Sequence, residues 1–265
     1  MTLRLSALHI YPIKAARGIP LGESVVDDFG LRYDRRWMVV DQSGVFLSQR
    51  SHPRLALVVP CIRDGVLQID APGMPTLRTP LHAKDAVATS VTVWRDRCGA
   101  TWLGDGPAQW FSAFLDCPCS LVHMGDGVVR PADPAFAPDG TKVSFADAFP
   151  FLVLSEESLS DLNRRLSDPL PMNRFRPNLV VAGGEPFAED TWNVVEIGGV
   201  RVRMVKPCAR CVVTTTDQST GERGQEPLRT LATYRKMNGE VMFGQNGVHH
   251  NTGTLRVGDP VIIRA

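Results

Sequence analysis

Two thiols and a guanidinium fall within four consecutive residues at Cys208-Ala209-Arg210-Cys211, after Lys206-Pro207 and before Val212-Val213-Thr214-Thr215-Thr216-Asp217. A Cys-x-x-Cys pair serves three chemistries. A dithiol redox site places it at a helix N-terminus, where the dipole favours the thiolate. Here the β-branched run from Val212 to Thr216 predicts a strand instead. A zinc site asks for two more ligands, usually a second close pair. Cys117-Pro118-Cys119 and His249-His250 are the candidates, and neither has a finger-type spacing. A single thiolate can hold a soft transition metal, with the neighbouring Arg210 favouring the charged thiol. The plainest reading is a turn with two incidental cysteines, because cysteine often packs as a small hydrophobe. Spacing leaves these alternatives open.

Gly198-Gly199, then Val200, Val202 and Met204 alternating with Arg201 and Arg203, predicts the strand that leads into the thiols. The pair is therefore expected at a turn between two strands, where folds tend to carry chemistry. Lys14, Arg35, Arg50, Arg176 and Arg210 are also expected at strand ends or turns, beside Pro, Trp or Phe. Any one of them reads as an ordinary surface cation. Together they can line a pocket for an anion such as a phosphate.

The chain has 265 residues, enough for one large domain or two modest ones. Its 43% hydrophobic and 22% charged content is that of a globular protein. A net charge of +1 gives no global pull toward nucleic acid or an anionic membrane. No apolar run approaches the roughly 20 residues of a spanning helix. Met1-Thr2-Leu3-Arg4 leads into a strand-like segment without a signal core. Six cysteines without such a signal predict reduced thiols in the cytoplasm.

Many glycines and prolines predict many short strands. Strands are expected over 4–11, 24–29, 38–40, 55–62, 66–69, 90–94, 151–154 and 179–182. Asp41-Gln42-Ser43-Gly44 reads as a hairpin turn. A helix is expected over 106–115, with Ala108, Phe111 and Leu115 on one face. Ser155-Glu156-Glu157 caps another. Pro227 opens a third, which Asn238-Gly239 ends. Phe243-Gly244-Gln245-Asn246 reads as a turn, and 254–257 with 261–264 as a final hairpin across Gly258-Asp259-Pro260. The Gly-, Pro- and Asp-rich stretch 124–148 reads as a domain junction or a flap over an active site.

Six motifs then occur in order. They are Tyr11-Pro12-Ile13-Lys14; Asp34-Arg35-Arg36-Trp37; Leu154-Ser155-Glu156; Phe175-Arg176-Pro177-Asn178; Cys208-Ala209-Arg210-Cys211 with Thr214-Thr215-Thr216-Asp217; and Phe243-Gly244-Gln245 with Gly258-Asp259-Pro260-Val261. In these the chain resembles the MOSC proteins (molybdenum cofactor sulfurase C-terminal type), over nearly its whole length. It is similar to the amidoxime-reducing components and their bacterial relatives. The resemblance implies a mostly β, α+β fold. An N-terminal β-barrel-like domain over 1–122 would precede a MOSC β-barrel with a few helices over 123–265. It implies a molybdenum–molybdopterin cofactor with Cys211 as the metal ligand. Lys14, Arg35, Arg176 and Asn178 would hold the phosphate and pterin, with Arg210 beside the metal. Pyridoxal phosphate binding is a further family-level expectation. Ala15 replaces the serine of the animal enzymes, and Ala148-Phe149 replaces their small hydroxyl residues.

The resemblance implies an oxidoreductase acting on small N-hydroxylated substrates. The alternative is a carrier of the cofactor or of sulfur, without turnover of its own. No Gly-x-Gly-x-x-Gly loop opens a helix after a strand. Cys61, Cys98, Cys117 and Cys119 lack ferredoxin spacing. A separate donor is therefore expected, a ferredoxin or a b-type cytochrome, with neither nucleic acid nor membrane as partner.

Overall fold

The computed structural model describes residues 2–81 and 87–264 and has the mostly β, α+β architecture expected from the sequence. It begins with β1 (Arg4–Ile10), β2 (Ile19–Leu21), β3 (Glu23–Asp27), β4 (Gly30–Leu31), β5 (Trp37–Asp41), β6 (Val59–Arg63), β7 (Val66–Asp70) and β8 (Leu77–Pro80). Next come β9 (Val87–Val93), β10 (Asp96–Trp102), α1 (Asp105–Leu115), β11 (Cys119–His123), β12 (Phe151–Ser155), α2 (Glu156–Asn163) and β13 (Leu179–Ala182). The chain ends with β14 (Val194–Ile197), β15 (Val200–Ala209), α3 (Leu228–Leu231), β16 (Lys236–Met237), β17 (Glu240–His249), β18 (Gly253–Arg256) and β19 (Val261–Arg264). Among the described residues no helix is long and apolar enough to cross a membrane.

The largest sheet runs β19-β14-β15-β17-β12-β13-β1-β2, with β16 paired to β17. The others are β5-β11-β10-β9, β6-β7-β8 and β18-β3-β4. Among the described residues each is an open path, so the expected barrels are not closed by hydrogen bonds. Side chains close the gaps instead. Trp37, Val39 and Leu121 from one small sheet share a core with Leu67 and Ile69 from another, and α1 adds Trp110, Phe111 and Phe114. The boundary expected after residue 122 falls inside β11. The two halves also interleave, since β1 pairs with β13 and β3 with β18.

β12 and β13 pair in parallel at the middle of the large sheet. Both are buried at every position, which explains their unbroken apolar runs. A parallel pair needs a crossover, and α2 supplies it. Ser155 caps α2, its hydroxyl accepting from the Ser158 N–H at 3.1 Å.

Several local expectations are corrected. Residues 53–57 form a 3-10 turn before β6, where a strand was expected. Asn238-Gly239 does not end a helix. Both residues have positive φ and make the two-residue turn between β16 and β17, as that dipeptide favours in hairpins. The turn at Gly258-Asp259-Pro260 does not join a hairpin, because β18 pairs with β3 and β19 with β14. Phe243-Gly244-Gln245-Asn246 lies inside β17 rather than in a turn. Its glycine is needed there for another reason: Gly244 has φ of 80°, and a Cβ would meet the Leu154 side chain at 2.6 Å and the Val153 carbonyl at 2.8 Å. Gly244→Ala is therefore expected to destabilise the protein by about 3 kcal/mol, combining backbone strain with overpacking. That lowers Tm by roughly 6–12 °C. A thermal melt within about 2 °C of wild type would show that β12 and β17 can separate without cost.

Candidate functional site

Three of the six motifs make one floor. The segments around Tyr11 and Arg35 are laced together. The Lys14 N–H donates to the Trp37 carbonyl at 2.7 Å, Trp37 to Pro12 at 3.0 Å, and Arg35 to Tyr11 at 2.9 Å. The Tyr11 N–H donates to the Asp34 carboxylate at 2.8 Å. Asn178 joins them from the far half of the chain. Its carbonyl accepts from the His9 N–H at 2.9 Å, and its Oδ1 accepts from Arg35 at 2.9 Å. Ala15, Arg35 and Arg176 all have positive φ, at 68°, 49° and 58°. Such backbone costs a non-glycine residue roughly 1–2 kcal/mol, so surrounding contacts must hold it.

Above this floor lies a cleft of about 300 Å³. Lys14, Arg35, Arg50, Arg176, Lys206 and Arg210 line it, against one lining carboxylate, Asp147. The five cations picked out in the sequence are thus brought together, and Lys206 joins them. Ala15, Ala148, Phe149, Phe151 and Phe175 supply apolar wall. The stretch 124–148 does border the cleft. It is pinned by two buried arginines: Arg36 donates to the Met124 carbonyl, and Arg130 to those of Ser144 and Ala146.

Each floor cation is already held within the protein. Lys14 Nζ donates to the Phe145 carbonyl at 2.7 Å and to Asp147 at 2.5 Å. Burial lowers the Lys14 pKa, and Asp147 works against that. Enclosure by the cleft walls opposes charge on Asp147, but Lys14, the Trp94 N–H and Arg50 hold its carboxyl well below the usual range. Even so, the Asp147 side chain is 61% exposed to solvent. Arg35 pairs with the buried Asp34. Burial pushes the Asp34 carboxyl up, against the pull of Arg35. Asn178 is buried and fully engaged: besides the bond from Arg35, its Oδ1 accepts from the Leu152 N–H, and its Nδ2 donates to the His9 carbonyl. Its side chain is placed to orient Arg35.

The Tyr11 ring contacts two guanidiniums. Arg35 stands 4.4 Å from its ring centre and Arg176 4.2 Å. Both fall within cation–π range. The Tyr11 hydroxyl donates to the Pro177 carbonyl at 3.0 Å. Arg176 donates to the Ala16 carbonyl at 2.6 Å, and burial pulls its pKa down to about 10. Burial pushes the Tyr11 phenol up to about 12, with Arg176 and Arg35 pulling it back.

The thiol end differs from expectation. Val212–Thr215 is a 3-10 turn, not a strand. Its β-branched residues fold this way because the Thr214 and Thr215 hydroxyls donate to the carbonyls of Cys211 and Val212 at 3.0 and 2.8 Å. Hydroxyls that bond back to the local chain compete with strand pairing. Cys208 sits near the end of β15, and both thiols line the cleft. The guanidinium on the Cys211 Sγ is Arg50, at 3.2 Å, rather than Arg210. Arg210 donates to the Cys208 Sγ at 3.0 Å and to the Phe175 carbonyl. Its Nε is buried without a partner. Arg50 stacks on Trp94 at 4.4 Å, and the Trp94 indole N–H donates to Asp147 at 3.1 Å. The zinc option finds no ligands: among the described residues no three His, Cys, Asp or Glu side chains converge.

The sequence reading missed Tyr11, Asp34, Trp94, Asp147 and Lys206 as site residues. Tyr11 and Asp34 lay inside recognised motifs. Trp94 and Asp147 carried no signal, since only folding brings their loops to the cleft.

Comparison with known proteins adds the family. Residues 2–118 match the MOSC N-terminal beta barrel domain, and residues 140–262 match the MOSC domain. Mitochondrial amidoxime-reducing component 1 of Homo sapiens is 36% identical, covering 98% of this chain and 82% of its own length. This chain belongs to the MOSC family. Component 1 of Mus musculus is 37% identical and component 2 of Rattus norvegicus 36%, over 98% and 97% of the MOSC chain and 82% of each relative. The solved YuaD protein of Bacillus subtilis shares 10% identity over 98% of this chain and 94% of its own, with a TM-score of 0.45.

The buried phenol of this MOSC protein makes a pH-dependent prediction. An unfolded tyrosine ionises near pH 10, whereas Tyr11 in the fold does so near 12. Stability from the neutral phenol is complete below pH 10 and lost as pH rises to 12. Tyr11→Phe loses one hydrogen bond, about 1 kcal/mol at pH 8, but carries no such pH penalty. The deficit should close, then reverse, between pH 10 and 12 in urea titrations of both proteins. A constant deficit over that range would show that the phenol ionises freely in the fold.

Proposed function

We propose that this MOSC protein is an oxidoreductase that holds a molybdenum–molybdopterin cofactor in the cationic cleft and reduces N-hydroxylated compounds. The observation that carries the reading is Cys211, one of two thiols opening into a cleft lined by six cations and one carboxylate, and the one that Arg50 touches at 3.2 Å. The names of relatives about 36% identical over 98% of the chain support the substrate class. The residues suit the cofactor. Molybdopterin is a phosphorylated anion, so cation-rich walls favour it. One thiolate suits a soft metal that brings its other ligands with it. The buried, unpartnered Nε of Arg210 is a donor without an acceptor.

In this reading Cys211 is the metal ligand. Lys14, Arg35, Arg176 and Arg210 hold the anionic parts, and Asn178 fixes the direction of Arg35. Arg50 touches the ligand thiol and Trp94 positions Arg50. When bound, the cofactor supplies the two-electron reduction of the N–O bond. An amidoxime takes up two electrons and two protons, giving the amidine and water. Asp147 stays charged near neutral pH beside Lys14, so the protons come from solvent at the open mouth of the cleft. Electrons come singly from a separate carrier protein, a ferredoxin or a b-type cytochrome.

Three measurements test this reading on protein purified from a host that makes molybdopterin. Cys211→Ser is expected to lose turnover and change the metal's spectrum, while Cys208→Ser keeps both; the opposite pattern would reassign the ligand. Arg176→Ala should lower molybdopterin content by one to two decades in affinity, as a charge-assisted contact of roughly 1.5–3 kcal/mol implies. Unchanged content counts against the cradle. Wild-type protein should reduce a model amidoxime with an artificial one-electron reductant and not with NADH alone. No turnover by metal-loaded protein with any reductant would favour a carrier.

A further inference from the structure

We infer that the cleft prefers N-hydroxylated substrates that carry an anionic arm, and that Lys206 receives that arm. This rests on the reductase reading above and adds a substrate class to it.

The lining cations are not all in the same state. Lys14 is paired with Asp147, and Arg35 with Asp34. Arg176 is engaged by the Ala16 carbonyl and the Tyr11 ring. Arg50 and Arg210 donate to the two thiols. Lys206 has neither a carboxylate nor a carbonyl partner among the described residues. Its ammonium stands 4.4 Å over the ring of Phe136, at an exposed position on the rim.

The fold places this lysine deliberately close to the thiols. Lys206 is two residues before Cys208 on β15, where the register against β17 shifts on both sides of the Lys206–Pro207 pair. Lys206 and Cys208 both line the cleft. Phe136 meets Phe149 edge-on at 6.3 Å, and Phe149 is cleft wall. The rim therefore offers an apolar aromatic surface beside an uncommitted positive charge. A flat N-hydroxylated group bearing a phosphate or a carboxylate matches both features, whereas a neutral one uses only the first. An exposed lysine binds as a point charge and does not select anion geometry, so the shared chemistry is the negative charge.

The test uses two matched pairs with cofactor-loaded protein at low salt. One pair is benzamidoxime and 4-carboxybenzamidoxime. The other is N4-hydroxycytidine and its 5′-monophosphate. The anionic member should have a kcat/KM higher by roughly tenfold, carried by KM, as one charge-assisted contact implies. Added salt should shrink the ratio, and Lys206→Gln should bring it close to one. Preference in one pair alone would support the inference and identify the arm as phosphate or carboxylate. Equal kcat/KM within both pairs would overturn it, and a preference that survives Lys206→Gln would overturn the assignment to Lys206. Calorimetric binding of the same pairs reads the preference without turnover. Absence of turnover would thus count against the reductase reading, while equal Kd values would sink this one.

Discussion

Six cations around one cleft repel one another, and much of the surrounding structure opposes that repulsion. Asp34 and Asp147 neutralise two of them. The Tyr11 ring takes two guanidiniums within cation–π range, so each is attracted to its π-cloud. Carbonyls of Phe145, Ala16 and Phe175 take up remaining donors. None of these partners suffices alone. The left-handed backbone at Ala15, Arg35 and Arg176 persists because all of them act together.

This arrangement explains why the thiol pair resists interpretation on its own. Neighbours in sequence are not neighbours in chemistry here. Arg210, one residue from Cys211, turns back to Cys208, while Arg50 arrives from 161 residues away. The stack of Arg50 on Trp94, and the hydrogen bond from the Trp94 indole N–H to Asp147, tie the thiol end to the floor. A change at any link should be felt at Cys211 without touching it.

The fold class and most strands were legible because alternation and turn residues act locally: β1, β5, β13 and α1 are where their patterns put them. The capped start of α2 was legible for the same reason. Failures came where tertiary contacts overrode local preference. Gly244 reads as a turn glycine but serves close packing against β12. Val212 to Thr215 read as a strand, yet threonine hydroxyls bend them into a 3-10 turn. The convergence of Lys14, Arg35, Arg50, Arg176 and Arg210 was suspected from their turn positions. Spacing carried no information on it, nor on Trp94 or Asp147.

The interleaving of the two halves bears on how the protein is made. The cleft takes its walls from residues on either side of the chain's midpoint, and β1 and β3 each find a second partner only in β13 and β18. A ribosome releases the first half long before those partners exist. Until then β1 and β3 have open edges, and Lys14, Arg35 and Arg50 face no opposite wall. Any group held in this cleft must therefore be loaded after synthesis is complete, by a finished chain rather than a growing one.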